Sequence, residues 1–441
     1  MTDKFYLTDI AGYDEEKAEA KKIIEVLKNH KKYEEMGAYI PKGLILSGLP
    51  GVGKTMLAKV IANESNVPFF EFESDESETE SETIKSIKSI FAKAREQSPS
   101  IIFIDELDEL VSSDSFSSDY SRKTTKILLT EIDGISSTDG VLVIATTNYR
   151  SSLPSALTRS GRMDKKITFE LPDTIDREKI FALYLSKNSL LSNIDAHQLA
   201  AKTSNFSGAD IKTLVNETLI DCASQGITEI TISDFERNIP VVRFQDIRKK
   251  SRSGPSDMTC YHEVGHFITE YIQSGVVGSI STERFGRVMG HVFYDEEVID
   301  VEPVTTKTLQ KKLITLLGGV AGEEVMCGDV SNGSSDDVGK ARTLIQSLMC
   351  TGSFGFDKLP SSYNTSRFSY EKGPISQKRL QDIEQKESEL LSEAFERAKT
   401  IISNNKELVE ILFKELKQNE KLSKREIETI LKEREVDITK N

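Results

Sequence analysis

From Gly43 onward, short apolar runs alternate with stretches of helical periodicity: GLILSG, VPFFEFE, SIIFIDE, GVLVIATTN and KITFELP are the runs. Strands separated by helix-length segments predict an α/β domain, a parallel sheet with helices on both faces, over residues 1–178. After Pro172 the pattern turns wholly helical, through DREKIFALYLSKN, DAHQLAAKT and SGADIKTLVNETLIDCASQG. This periodicity predicts a helical lid over 179–244. Segment 245–258 is polar and basic and is broken by Gly254-Pro255, so it reads as a linker. Residues 259–441 then form a mainly α-helical domain. Within it, Ser279 to Tyr294 predicts a strand pair, and Leu390, Ala394, Ala398 and Ile402 share one face of a long helix. Ser423 and Glu426 form a capping box for the last helix.

Composition narrows the classes. A chain of 441 residues with 37% hydrophobic and 29% charged residues has room for several buried cores. Its net charge of -14 argues against coating nucleic acid, and the basic patch Arg248 to Ser253 reads as a solvated linker. Cys222, Cys260, Cys327 and Cys350 form no CxxC pair, which gives neither a zinc ribbon nor a disulfide framework. The start, MTDKFYLTDIAGYDEEK, lacks a secretory signal, and no apolar run reaches the roughly 18 residues of a membrane span. The expectation is a soluble, cytoplasmic chain.

GLPGVGKT, Gly48 to Thr55, follows one predicted strand and opens a helix at TMLAKVIAN, with Met56 among the nucleotide-binding residues. In that context Leu49, Pro50, Gly51, Val52 and Gly53 form a nucleotide-binding loop whose glycines let backbone N–H groups close on the phosphates, Lys54 reaches the outer phosphates, and Thr55 binds magnesium. IIFIDELD places Asp105 at a strand end, to hold the magnesium water shell. Glu106 beside it is the natural base for the attacking water. The next strand ends at Asn148, within reach of a γ-phosphate or the water. LTRSGRMD supplies Arg159 and Arg162 as cations for the developing charge, contributed to a neighbouring molecule.

These motifs, with SGAD, resemble the AAA+ ATPase module. The resemblance implies ATP with magnesium, a ring that is typically a homo-hexamer, Ile10, Ala11 and Gly12 lining the base, and Gly208 and Ala209 closing over it.

YHEVGHF carries His262, Glu263 and His266 as HExxH on a predicted helix. Four residues apart, both imidazoles face one side and can bind one zinc, while Glu263 meets the water that zinc acidifies. A third ligand must come from downstream: His291, Glu323, Glu324, Asp336 and Asp337 are the candidates. From about Leu7 to its end the chain resembles FtsH, the AAA+ zinc metalloprotease. Matching NGSSDDVGKA to that family's ligand segment implies Asp337, with Asp336 as runner-up.

The resemblance implies an ATP-dependent zinc endopeptidase acting on protein or peptide substrates, here without the family's amino-terminal membrane-spanning part. A remodelling chaperone with a structural metal domain and an ATP-gated peptidase with weak unfolding activity are the alternatives. The family's aromatic pore motif is also missing. In its place Glu71 to Lys85 reads EFESDESETESETIK, either a solvated acidic loop or a ring of carboxylates favouring basic substrates. Phe116 and Tyr120 are candidates for aromatic contact from a second loop.

Overall fold

The structure, a computed structural model, describes residues 5–37, 41–72, 79–111, 119–135, 140–149, 152–245, 248–249, 254–285, 290–294, 305–350 and 377–433. Residues 73–78 of the acidic stretch, Phe116 and the Tyr120 side chain lie outside the described residues, as does most of the basic patch. The chain divides into two compact units, Met1–Asn238 and Ile239–Asn441. Among the described residues no helix is long and apolar enough to cross a membrane.

The first unit opens with α1 (Asp14–Lys28) and α2 (His30–Glu35). It continues through β1 (Gly43–Ser47), α3 (Lys54–Ser65), β2 (Phe69–Phe72), α4 (Glu80–Glu96), β3 (Ser100–Ile104), α5 (Leu107–Leu110), α6 (Asp119–Asp133), β4 (Val141–Thr147) and β5 (Lys165–Thr168). Four helices follow: α7 (Thr174–Leu185), α8 (Ala196–Lys202), α9 (Gly208–Ser224) and α10 (Ile232–Phe244), which runs across the boundary between the units.

The five strands form one parallel sheet in the order β2-β3-β4-β1-β5. Strands β1, β3 and β4 are buried along their whole length, as expected for a parallel sheet covered on both faces. Each buried Leu or Ile there contributes roughly 1.5–3 kcal/mol. Because β1 lies beside β4 and β4 beside β3, the carboxyl ends of these strands are brought together, which is where open α/β sheets bind ligands.

The second unit contains β6 (Arg248–Lys249), α11 (Asp257–Ser274), β7 (Ser279–Ser281), β8 (Arg284–Phe285), β9 (His291–Phe293), α12 (Thr306–Cys327) and α13 (Ser335–Cys350). It ends with α14 (Gln377–Asn404), α15 (Lys406–Asn419), β10 (Lys421–Leu422) and α16 (Lys424–Glu433). The expected strand pair between Ser279 and Tyr294 is present as β7 against β9, with two additions. β10 joins the other edge of β7, and β8 pairs with β6 in a separate ribbon. Those partners come from distant sequence, so local alternation carried no sign of them. Ala394, Ala398 and Ile402 are buried on α14 as expected, and Ser423 caps α16 with Glu426 reciprocating at 2.7 Å.

Helices α11 and α12 pack backbone against backbone. A Cβ at Gly265 would sit 2.3 Å from the Gly318 carbonyl oxygen, and one at Gly322 would sit 2.4 Å from that of Tyr261. Only glycine allows this approach. Around the seam, Val264, Phe267, Ile268, Leu313, Leu317 and Ala321 are almost fully buried.

Candidate functional site

In the first unit, the phosphate-type loop links β1 to the first turn of α3. Gly51 has φ +79 and Gly53 φ +106, both in the left-handed region. A Cβ on Gly51 would also lie 2.7 Å from Ser207 Oγ. Ser207 caps α9, and the Ala209 N–H donates to the Gly51 carbonyl at 3.1 Å, so Gly208 and Ala209 do meet the loop. Lys54 is buried; its Nζ donates to the carbonyls of Gly48 (2.7 Å) and Leu49 (2.9 Å) and to Asn148 Oδ1 (2.8 Å). Burial holds the Lys54 ammonium below its usual pKa, against the upward pull of the Asp105 charge.

Thr55 Oγ1 donates to both oxygens of Asp105 at 3.3 Å, and Thr146 Oγ1 donates to the same carboxylate. Glu106 stands exposed beside Asp105 in the left-handed region (φ 50), with its N–H fixed by Thr146 Oγ1 at 2.9 Å. The crevice therefore gathers Lys54, Thr55, Asp105, Glu106 and Asn148. On the same loop and helix start, Leu49 is exposed, Met56 half-buried and Val52 buried. Ile10, Ala11 and Gly12 lie on the turn before α1, where Gly12 (φ +70) packs against the Asp176 side chain.

The two arginines differ. Arg159 is exposed. Arg162 is clasped within its own chain: Nε and Nη2 donate to the Asp133 carboxylate at 2.6 and 2.7 Å, and Nη1 donates to the Ala156 carbonyl at 2.6 Å. The sequence offered no sign of the Asp133 partner, which lies 29 residues away.

In the second unit, α11 places His262 and His266 one turn apart. Their Nε2 atoms are 3.1 Å from each other, and Asp337 Oδ2 on the first turn of α13 is 3.2 Å from His262 Nε2 and 3.3 Å from His266 Nε2. The three form the group able to hold a metal ion among the described residues. Behind them, Glu323 Oε1 is 2.7 Å from His262 Nδ1, and the Thr315 carbonyl oxygen is 2.8 Å from His266 Nδ1. Accepting at both Nδ1 positions turns both Nε2 lone pairs inward. Burial raises the Asp337 carboxyl, but hydrogen bonds from His262 and His266 outweigh it and hold it well below the usual carboxylate range.

The other third-ligand candidates fall elsewhere. Asp336 is exposed and pairs with Lys340 at 2.7 Å, and Glu324 pairs with Lys399 at 2.9 Å. Glu323 supports His262 from behind, also accepting from the hydroxyls of Ser331 and Ser334. His291 packs between Phe244 and Phe293, and burial, with Lys421 and Arg243 adding to it, lowers its pKa to about 3.

Glu263 is buried, and burial pushes its carboxyl up to about 7. A Cβ on Gly290 would sit 2.4 Å from its Oε1, so the chain entering β9 passes directly over the carboxylate. Gly319 does the same for the imidazoles: its Cβ would lie 2.6 Å from His262 Cε1 and from His266 Nε2. The histidines and Glu263 open on a cleft of about 1070 Å³ that Tyr294, Leu316 and Lys340 also border. Thr315, Gly319 and Gly290 were missed from sequence; the run GGVAGEEV was the available signal for Gly319.

Comparison with known proteins gives three family matches. Residues 44–171 match the AAA family, the ATPase family associated with various cellular activities; 193–237 match the AAA+ lid domain; and 249–430 match peptidase family M41. A protein of Parabacteroides distasonis named ATP-dependent zinc metalloprotease FtsH is 34% identical over 420 residues, 92% of this chain and 61% of that relative. Proteins of the same name from Acholeplasma laidlawii (33%, covering 97% of this chain and 69% of the relative) and Thermotoga maritima (31%, 96% and 72%) are similar along their shared length. The chain spans 61% of the length of the Parabacteroides protein and 64% of that of a protein of the same name from Aster yellows witches'-broom phytoplasma. The chain belongs to the FtsH family, with an AAA module and its lid ahead of an M41 peptidase domain.

Proposed function

We propose that the chain is an ATP-driven zinc endopeptidase, in which nucleotide hydrolysis in a ring feeds polypeptide to the HExxH site. The observation that carries this reading is the convergence of His262 Nε2, His266 Nε2 and Asp337 Oδ2 within 3.3 Å of one another beside a buried Glu263. Two imidazoles and a carboxylate are the donor set of a catalytic zinc site, with a fourth position left for water. When bound, zinc supplies a Lewis acid and lowers the pKa of water. Glu323 and the Thr315 carbonyl fix the imidazole tautomers. Glu263 accepts the proton of the attacking water at its carboxylate and passes it to the leaving amine nitrogen.

In the ATPase half, Lys54 reaches the outer phosphates, Thr55 and Asp105 hold magnesium, Glu106 polarises the water and Asn148 meets the γ-phosphate. Arg159, being exposed, is the cation offered to a neighbouring subunit. Arg162 joins it only once its pair with Asp133 opens. A homo-hexamer follows from the family reading, and the division into 1–178, 179–244, 245–258 and 259–441 from the apolar and polar pattern along the chain. Free Cys222, Cys260 and Cys327 support a reducing compartment such as the cytoplasm.

The test is degradation of unfolded casein with ATP, magnesium and zinc. Glu263→Gln is expected to abolish cleavage while ATP turnover and zinc content persist. Cleavage that survives this substitution would sink the reading.

A further inference from the structure

The two oxygens of Asp337 are used differently. Oδ2 faces both imidazoles, at 3.2 and 3.3 Å. Oδ1 turns away from them to the Lys340 ammonium at 3.5 Å. The same ammonium lies 2.7 Å from Asp336 Oδ2. Spacings of three and four residues on α13 bring the lysine over both acids. Lys340 also borders the cleft that holds Glu263 and the two histidines. Its side chain is 57% exposed, against 15% for Asp337, so the cation sits at the rim and reaches inward.

We propose that Lys340 is a positioning residue of the metal site: it occupies Asp337 Oδ1, so that the carboxylate ligates through Oδ2 alone. A carboxylate that brought in both oxygens would add a fifth ligand beside the two imidazoles and the water and crowd the attacking water. Lys340 competes for the second oxygen and keeps the site four-coordinate. Asp336 anchors the ammonium from outside and touches neither imidazole. The inference rests on the zinc reading above, and it differs from an ordinary surface pair between Asp336 and Lys340, which would leave Asp337 indifferent to the lysine.

The experiment uses the full chain loaded with cobalt(II) in place of zinc, because the visible absorption of cobalt reports coordination number. Four-coordinate cobalt absorbs more strongly than five-coordinate cobalt. Lys340→Met is expected to weaken the visible bands while metal stays bound, and to lower the turnover number for casein cleavage about tenfold, the low end for loss of an outer partner. Lys340→Arg is expected to restore both.

An unaltered cobalt spectrum in Lys340→Met would overturn the inference, even if activity fell. Failure of the unaltered chain to bind cobalt or zinc would overturn the inference and the zinc reading together. Because the lysine is more than half exposed, neither substitution endangers the fold, and far-ultraviolet circular dichroism verifies this.

Discussion

Gly319→Ala adds one methyl group where the two metal-binding imidazoles meet α12. The new Cβ would lie 2.6 Å from His262 Cε1 and from His266 Nε2. Carbon contacts settle at about 3.5 Å, so the rings must retreat by about 1 Å. Zinc ligation tolerates only about 0.2 Å. Neither ring can retreat freely, since Glu323 holds His262 Nδ1 at 2.7 Å and the Thr315 carbonyl holds His266 Nδ1 at 2.8 Å. Zinc affinity should therefore fall at least about tenfold, comparable to losing an outer hydrogen-bond partner. Global stability should change little, because alanine gains about 1 kcal/mol of helix propensity over glycine and offsets part of the strain. Gly339→Ala is the control: a Cβ there meets nothing within 4 Å, so it should keep zinc and gain stability. The assay is chelator competition for zinc alongside thermal unfolding of the metal-free chain. Equal zinc affinities for Gly319→Ala and the unaltered chain would refute the reasoning.

Two other predictions concern other residues. Gly51→Ala should abolish ATP binding, measured by fluorescent nucleotide titration, because position 51 has φ +79 and the methyl would strike Ser207 Oγ at 2.7 Å; retained binding would contradict this. His291 titrates at about 3 in the folded chain and near 6.5 when unfolded. Between those values the unfolded state binds the extra proton, so stability is full above about pH 6.5 and falls as pH drops toward 3, by at most about 5 kcal/mol. His291→Leu should flatten that acid limb in urea unfolding series, and an unchanged slope would rule out His291 as its source.

Both chemical centres were legible where their residues are contiguous. GLPGVGKT and HExxH are short because one loop and one helical turn supply the geometry, so spacing alone exposes them. The third ligand was harder, since Asp337 lies 75 residues beyond His262 and only the packing of α13 separates it from Asp336. Glu323 appeared in sequence as one more acid able to reach the metal, whereas its place behind His262 depends on the rotation of α12. The Asp133 clasp on Arg162 was invisible for the same reason: a pair joining the end of α6 to a loop beyond β4 leaves no periodic trace. His291 was a candidate ligand by residue type alone, and its aromatic surroundings come from α10 and β9, which no local pattern connects.

The glycine seam between α11 and α12 has a mechanical consequence. Where side chains separate two helices, rotamer changes let the gap widen or narrow; where carbonyl meets α-carbon, the spacing is set by hard contact and is as stiff as the backbone. His262 and His266 ride on one side of that contact, while Glu323 and the Thr315 carbonyl ride on the other. On the proposed function, tension applied to a polypeptide held in the cleft would therefore be borne by the seam without splaying the imidazoles, and the metal-binding side chains would stay in register under load.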